Sequence, residues 1–202
     1  MKVLVQSRLA LFTAIALGLA FAANAQAQSA ASETGRDVKQ QQRIDQGLKS
    51  GQLTTREAAR LEQGEARIDR TEQRDLRDGK LSPAEKAQIQ REQNHESRAI
   101  YSDKHNAATG NPDSRSSERM QHDVQRDVNQ ERRIHNGVDN GSLTNKETGR
   151  LEGREAHVDH LESRAGRDGY VGAGEQGRIQ RTENRDSKRI YRDKHNRARR
   201  GG

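Results

Sequence analysis

An internal duplication is the feature that most constrains the fold of this chain. Residues 36–106 align without a gap on residues 126–196, at a constant offset of 90 positions. About half of the aligned positions are identical, and the closing segment Ile-Tyr-x-Asp-Lys-His-Asn at 100–106 returns at 190–196. Two helical repeat units with the same fold are therefore predicted, with a linker over 107–125 between them.

Each unit carries two copies of a short turn motif. The four copies lie at 51–57, 79–85, 141–147 and 169–175. Two residues after a glycine comes an aliphatic residue, then Ser or Thr, and three residues later Glu; the last copy has Gly172 in place of the Ser or Thr. This spacing is a capping box, which opens a helix. The chain is therefore predicted to be a series of helices joined by glycine turns.

The predicted fold class is all-α, with about three helices in each unit. In the first unit we expect helices over about residues 36–49, 55–77 and 83–105. Their aliphatic stripes are thin, so each unit is expected to be a slender helical hairpin or a three-helix bundle. Gly149 and Gly153 lie inside the middle helix of the second unit, and each is expected to weaken that helix by up to about 1 kcal/mol.

The N-terminal residues differ in composition from the rest of the chain. Lys2 and Arg8 precede an apolar run over 9–23, and Ala-x-Ala patterns follow at 23–27. The apolar run is shorter than the roughly 20 residues of a membrane span. A secretory signal peptide over 1–27 is therefore predicted, and no transmembrane segment is expected in the mature chain.

The absence of cysteine bears on the compartment. A secreted chain that has no Cys, and hence no disulfide, fits a bacterial periplasm better than a stapled extracellular domain. The expected location is therefore periplasmic or secreted. We expect a disordered segment over 28–35 ahead of the first unit and a basic tail over 197–202 after the second.

The composition argues against an enzyme. Charged residues make up 33% of the chain and aromatic residues 2%, which excludes a thick globular core and lies near the border of disorder. There is no Cys nucleophile, glycine-rich phosphate loop or H-E-x-x-H motif. The carboxylates Glu65 and Asp69, close in sequence to Arg60 and Arg67, are interpreted as members of helix-surface ion pairs. No catalytic residue is predicted.

Two of the glycine turns resemble the back half of an EF-hand calcium loop. With Gly79 or Gly169 at position 6 of the 12-residue loop, acidic residues fall at positions 5 and 12. These residues are Asp78, Glu85, Asp168 and Glu175. The front half does not fit, because Arg74 and Arg164 hold the place of the first acidic ligand and would repel a cation. The resemblance implies weak divalent-cation binding, and the alternative interpretation is that the turns only cap helices.

Histidines offer a second candidate metal site. His157 and His160 are three residues apart on the predicted middle helix of the second unit, a spacing that lets two imidazoles share a metal ion. Their counterparts in the first unit are Arg67 and Arg70, so the pair is not common to both units.

The closing segments carry the most specific candidate binding site. Tyr101 and His105 are four residues apart, hence on one helix face, and so are Tyr191 and His195. The alternative interpretation is that the tyrosine closes the end of the core, while Lys104 and His105 complement the negative end of the helix dipole.

The C-terminal stretch is strongly basic. Its candidate binding residues are Arg189, Arg192, Arg197, Arg199 and Arg200. Such a run attracts polyanions, which in a periplasm are lipopolysaccharide, anionic polymers or anionic lipid head groups. No aromatic stacking platform accompanies it, so no specific nucleic acid is expected as a partner. The alternative interpretation is a solvated tail.

Two family resemblances follow from these motifs. The L-[ST]-x-x-E element resembles the L-T-x-x-Q motif of periplasmic helical chaperones of the Spy and CpxP type, with Glu in place of Gln. This implies a cradle-shaped dimer that holds unfolded proteins by charge and exposed aliphatic side chains. The chain also resembles uncharacterised secreted proteobacterial helical-repeat proteins, whose G-x-L-T-x-x-E helices end in Ile-Tyr-x-x-Lys-His. That resemblance covers both units and implies no activity.

Three functional hypotheses stand at this point. The first is a non-enzymatic periplasmic helical binding or chaperone-like protein that acts through basic faces and thin apolar seams on unfolded proteins or anionic envelope polymers. The second is a cation-binding protein with degenerate EF-hand-like turns. The third is a partly disordered polyanion binder. No cofactor is expected beyond a weakly bound divalent cation.

Overall fold

The chain folds into six α-helices. The computed structural model describes the backbone of residues 10–198 and the side chains of residues 30–198. The helices are α1 (Ala10–Ser50), α2 (Thr55–Asp75), α3 (Pro83–Lys104), α4 (Arg115–Asp139), α5 (Asn145–Ala165) and α6 (Ala173–Lys194). Single 3-10 turns, Leu76–Asp78 and Gly166–Asp168, follow α2 and α5. The predicted all-α class is confirmed.

The glycine turns form as the motif predicts. Their four glycines have left-handed φ angles of 74°, 88°, 73° and 93°, a region that favours residues without a Cβ. Thr54, Ser82 and Thr144 each accept a hydrogen bond from the backbone of the Glu three residues later, and that Glu accepts one from the backbone of the cap. Gly172 has no side chain to offer, so at α6 only the bond from its N–H to Glu175 Oε2, at 2.9 Å, remains.

Two expected segment boundaries are wrong. The segment 28–35, expected to be disordered, is helical within α1, and Thr34 is buried, with its Oγ1 3.1 Å from Nδ1 of His135 on α4. The expected linker over 107–125 is non-helical only as far as Ser114, which caps α4. The predicted signal peptide lies outside the residues with described side chains, and within the described part no helix has both the length and the apolar character of a membrane span.

The two three-helix units interlock with each other. α2 packs antiparallel on α5, α1 packs on α4, and the outer helices α3 and α6 each cover the two helices of their own unit. Contacts recur in pairs: Arg56 donates to the backbone oxygen of Asp168 at 2.8 Å, and Asn145 donates to that of Gly79 at 3.0 Å. Both donors lie in the first turn of equivalent helices, and both acceptors lie in the equivalent glycine turns that follow α5 and α2, so the units are related by an approximate two-fold axis. Each unit covers the thin apolar stripe of the other.

Complementary side-chain sizes fit α2 to α5. A Cβ added at Gly149 would lie 2.8 Å from Cβ of Leu76, and one added at Gly166 would lie 2.8 Å from Cβ of Ala59. Ala59 and Gly149 are equivalent positions, as are Leu76 and Gly166. At each contact a residue with a side chain therefore faces a glycine of the other helix: Leu76 faces Gly149, and Ala59 faces Gly166. Gly149, which was expected only to weaken its helix, allows the close approach of α2.

We predict that Gly149→Ala destabilises the protein by about 1–3 kcal/mol, because the added methyl group overpacks the contact with Leu76. The matched control is Gly174→Ala in α6, where no neighbouring atom lies within 4 Å of the new Cβ. That change should stabilise the protein by about 0.4–1 kcal/mol. Thermal and urea unfolding measure both, and equal stabilisation by the two substitutions would contradict the close packing of α2 on α5.

Candidate metal centre

The acidic side chains of this protein lie mainly in its interior, and the basic side chains lie at its surface. Most of its carboxylic side chains are buried, whereas every Lys and Arg side chain among the described residues is at least partly exposed. On α2 and α5 the buried carboxylates occupy equivalent positions. They are Glu62, Glu65, Asp69 and Glu72 on α2, and Glu152, Glu155, Asp159 and Glu162 on α5. Glu65 and Asp69 are thus not in surface ion pairs as expected from the sequence, but 1% and 3% exposed.

The carboxylates form a layer across the middle of the bundle. Buried aliphatic residues make up two clusters, one toward each end. On each helix the polar residues lie between members of these clusters: Glu65 lies between Leu61 and Ile68 on α2, and Gln93 lies between Ile89 and Ile100 on α3. The aliphatic ends therefore hold the helices together around a polar centre.

Three groups of these side chains have the geometry of a cation site. In each group one carboxylate oxygen per residue lies within 4.8 Å of the others. The groups are Glu62, Asp159 and Glu162; Asp69, Glu131 and Glu152; and Asp127, Glu162 and Glu183. All eight residues are buried, at 0–3% exposure.

Internal hydrogen-bond donors distinguish the two units. In the first unit, Nε2 of Gln93 donates to Asp37 Oδ1 at 2.7 Å and to Glu72 Oε1 at 3.5 Å. Nε2 of Gln41 donates to Glu62 Oε2 at 2.9 Å. The second unit has Glu183 and Glu131 at these two positions. Glu131 and Glu183 both belong to the three groups, so the second unit has a carboxylate where the first unit has an amide that donates hydrogen bonds to its neighbours.

The second-unit carboxylates are left without donors. No amide, hydroxyl or basic side chain of a described residue donates a hydrogen bond to either oxygen of Asp127, Glu162 or Glu183, although Asp127 and Glu162 are close enough to share a proton. Among the described residues these three side chains form one ion pair, between Glu183 and Arg126. Nε of Arg126 lies 3.1 Å from Glu183 Oε2, but the contact is outside hydrogen-bond geometry. A buried carboxylate without a hydrogen-bond donor destabilises the folded state unless it is protonated or paired with a cation.

Burial raises the pKa values of these groups. Loss of solvation raises the pKa of Glu62 to about 8, although Gln41 lowers it, and raises that of Glu183 to about 8 against the effect of Arg126. The same cause raises the pKa of Asp37 to about 7. Burial, together with repulsion from neighbouring carboxylates, holds the pKa values of Asp127 and Glu162 well above their usual range.

The residues of the EF-hand-like turns serve as local caps. Oδ1 of Asp78 accepts from the backbone of Lys80, and Oδ1 of Asp168 accepts from that of Tyr170, at 2.8 and 2.9 Å. Glu85 and Glu175 accept from the residues that cap α3 and α6. None of the three carboxylate groups found among the described residues contains any of these four turn residues, so cation binding at the turns stays a prediction.

The histidine pair of α5 lies on the outside of the bundle. His157 is exposed and His160 is half-buried, and neither belongs to a carboxylate group. Burial lowers the pKa of His160, and the cations Arg70 and Arg164 lower it further. The positive charge around His160 also disfavours binding of a metal ion there. Metal binding by His157 and His160 stays a prediction.

The closing segments tie each unit together. The rings of Tyr101 and His105 are stacked with centroids 4.1 Å apart, as are those of Tyr191 and His195. Nζ of Lys104 donates to the backbone oxygen of Arg43 on α1 at 3.2 Å. Because Tyr101 is 62% exposed and Tyr191 is 59% exposed, the interpretation that the tyrosine closes the core is wrong.

The predicted basic residues lie on the surface of α6 and beyond. Arg189 pairs with Asp193, and Arg197 is exposed, whereas Arg199 and Arg200 lie outside the described residues. Arg192 and Tyr191 line a surface cavity of about 750 Å³. Its other lining residues are Arg133, Arg154, Arg185, Ser187 and Lys188.

The buried carboxylates were missed from the sequence, although a signal existed. Glu62, Glu65, Asp69 and Glu72 share the helical stripe of Leu61 and Ile68, and an acidic residue recurs 90 positions later in all four cases. A surface position is free to vary between duplicated units. Acidic residues that recur at the same positions of the apolar stripe in both units therefore indicate buried side chains.

We predict that the metal-free protein loses stability as pH rises. The carboxyl groups with raised pKa bind more protons in the folded state than in the unfolded chain, so the free energy of unfolding decreases between about pH 4.5 and pH 8. Thermal melts in chelator should show a midpoint at pH 8 at least about 5 °C below that at pH 5. A midpoint that rises over this interval would contradict the buried layer.

Family models, curated protein sequences and solved structures were compared with the chain, and none of them matches it. Function therefore has to be inferred from the chemistry of the residues themselves.

Proposed function

We propose that this protein binds divalent cations in its buried carboxylate layer. The observation that carries the proposal is the replacement of Gln41 and Gln93 in the first unit by Glu131 and Glu183 in the second. Each replacement removes a built-in N–H donor and adds a negative charge to a group that already holds two carboxylates. A bound cation would supply the missing positive charge.

The donor set favours a hard cation. All of the ligand atoms are carboxylate oxygens, which suit Mg²⁺, Ca²⁺ and Mn²⁺ better than metals that prefer nitrogen or sulfur. Mg²⁺ usually keeps several waters, whereas these carboxylates are almost completely buried. The proposal is therefore Mn²⁺ or Ca²⁺, held by carboxylates from several helices.

This proposal adopts the cation-binding hypothesis but moves the site from the glycine turns to the bundle interior. The chaperone-like hypothesis receives no comparable support, because its thin apolar seams are buried between the units. The exposed large hydrophobic residues of the described part are Tyr101, Tyr170 and Tyr191. Binding of unfolded proteins and the absence of enzymatic activity stay predictions.

We predict that Mn²⁺ raises the thermal midpoint of chelator-treated protein at pH 7.5, and that Glu183→Gln weakens this effect. The substitution gives the second unit the amide that Gln93 provides in the first, so it should stabilise the metal-free protein and lower the number of bound Mn²⁺ ions by one. Calorimetric titration and thermal melts measure both effects.

Glu175→Gln is the control, since it alters a turn predicted to bind cations without touching the layer. If Glu175→Gln abolishes Mn²⁺ binding and Glu183→Gln does not, the turns are the site. If Mn²⁺ neither binds nor stabilises the unmodified protein, protons alone compensate the layer, and the proposed function is wrong.

A second candidate function is supported by the 750 Å³ cavity on α6. Five of its seven lining residues are Arg or Lys, and Arg154, Arg185 and Arg192 have Gly64, His95 and Ser102 as counterparts in the first unit. Three of the five cationic lining residues are therefore specific to the second unit, whereas Arg133 and Lys188 have Arg43 and Arg98 as counterparts. It suits a phosphate-bearing polysaccharide such as lipopolysaccharide, with Tyr191 available to a sugar ring.

We predict that Lys188→Ala combined with Arg192→Ala weakens binding of lipopolysaccharide roughly 30-fold at low salt, at about 1 kcal/mol per side chain. The matched control alters the equivalent first-unit positions, Arg98→Ala with Ser102→Ala, and should leave the affinity nearly unchanged. Equal loss in both variants would indicate a diffuse charge effect rather than binding in the cavity.

A further inference from the structure

Glu162 belongs to two of the three carboxylate groups. One group joins it to Glu62 and Asp159, and the other joins it to Asp127 and Glu183. The five residues come from α2, α4, α5 and α6, and each is at most 1% exposed. Two potential cation positions therefore share one carboxylate, which is the arrangement of a bridged pair of metal ions.

Glu162 and two of its neighbours lack donors other than one another. No amide, hydroxyl or basic side chain of a described residue donates a hydrogen bond to either oxygen of Glu162, Asp127 or Glu183, although Asp127 and Glu162 are close enough to share a proton. These carboxylates thus carry open coordination positions inside the bundle. Arg126 contributes a single positive charge beside Glu183, which cannot balance several carboxylates.

The equivalent place in the other unit is already filled. Glu72 is the counterpart of Glu162, and Nε2 of Gln93 lies 3.5 Å from its Oε1 and 2.7 Å from Asp37 Oδ1. Glu72 belongs to none of the three groups. The first unit therefore has an internal donor where the second unit has a third carboxylate, and this difference points to an external cation at Glu162.

We infer that Glu162 bridges two divalent cations in a dinuclear carboxylate centre, and that Asp69, Glu131 and Glu152 hold a third ion separately. Glu62 and Asp159 complete the coordination of one bridged ion, and Asp127 and Glu183 complete that of the other. This inference rests on the proposed function, because it specifies how many ions bind and which residue they share.

Electron paramagnetic resonance of the Mn²⁺-loaded protein tests the bridge, with metal content measured on the same samples. We expect about three Mn²⁺ per chain and the exchange-coupled signal of a Mn²⁺ pair, with narrower hyperfine spacing than an isolated ion gives. Glu162→Gln should abolish the coupled signal and lower the metal content. Asp127→Asn should remove one ion and leave its neighbour as an isolated Mn²⁺.

The matched control is Glu72→Gln, which makes the same change at the equivalent buried position and should retain the coupled signal. Circular dichroism checks that each variant folds. If the protein binds Mn²⁺ but shows only isolated ions, or if Glu162→Gln keeps the coupled signal, the bridge is wrong while cation binding stands. If no Mn²⁺ binds at all, both the bridge and the proposed function fail.

Discussion

Uncompensated negative charge in the middle of the bundle is the constraint on which the rest of this structure depends. A buried carboxylate without a partner is costly, and here carboxylates from all six helices meet in one layer. The aliphatic clusters at the two ends must supply enough packing to hold that layer closed. The layer must be stabilised by protons, by hydrogen bonds from internal amides or by cations, and the two units differ in the amides that they supply.

Because the chain is duplicated, the buried residues of the two units can be compared position by position. Both units place acidic residues at the same positions of α2 and α5, but where the first unit has Gln41 and Gln93 the second has Glu131 and Glu183. In the first copy Gln41 and Gln93 donate hydrogen bonds to buried carboxylates. The same asymmetry recurs in packing, where Gly149 accommodates Leu76 and Gly166 accommodates Ala59.

Local structure was predictable from the sequence because its causes are local. A glycine with a left-handed φ and a capping Ser or Thr act within a few residues, so the turns and most helix ends follow from the motif. The carboxylate layer was not predicted, because the covering of each thin stripe depends on the other unit. Glu65 and Asp69 look like surface residues on a lone helix, and only the contact of α2 with α5 buries them.

Cation binding in the carboxylate layer is tested most directly by an anomalous difference map from crystals of this protein grown with Mn²⁺. We expect Mn²⁺ peaks among the buried carboxylates, with two of them on either side of Glu162. Peaks confined to the glycine turns, at Asp78 and Glu85 or at Asp168 and Glu175, would contradict binding in the layer, as would a layer without any metal peak.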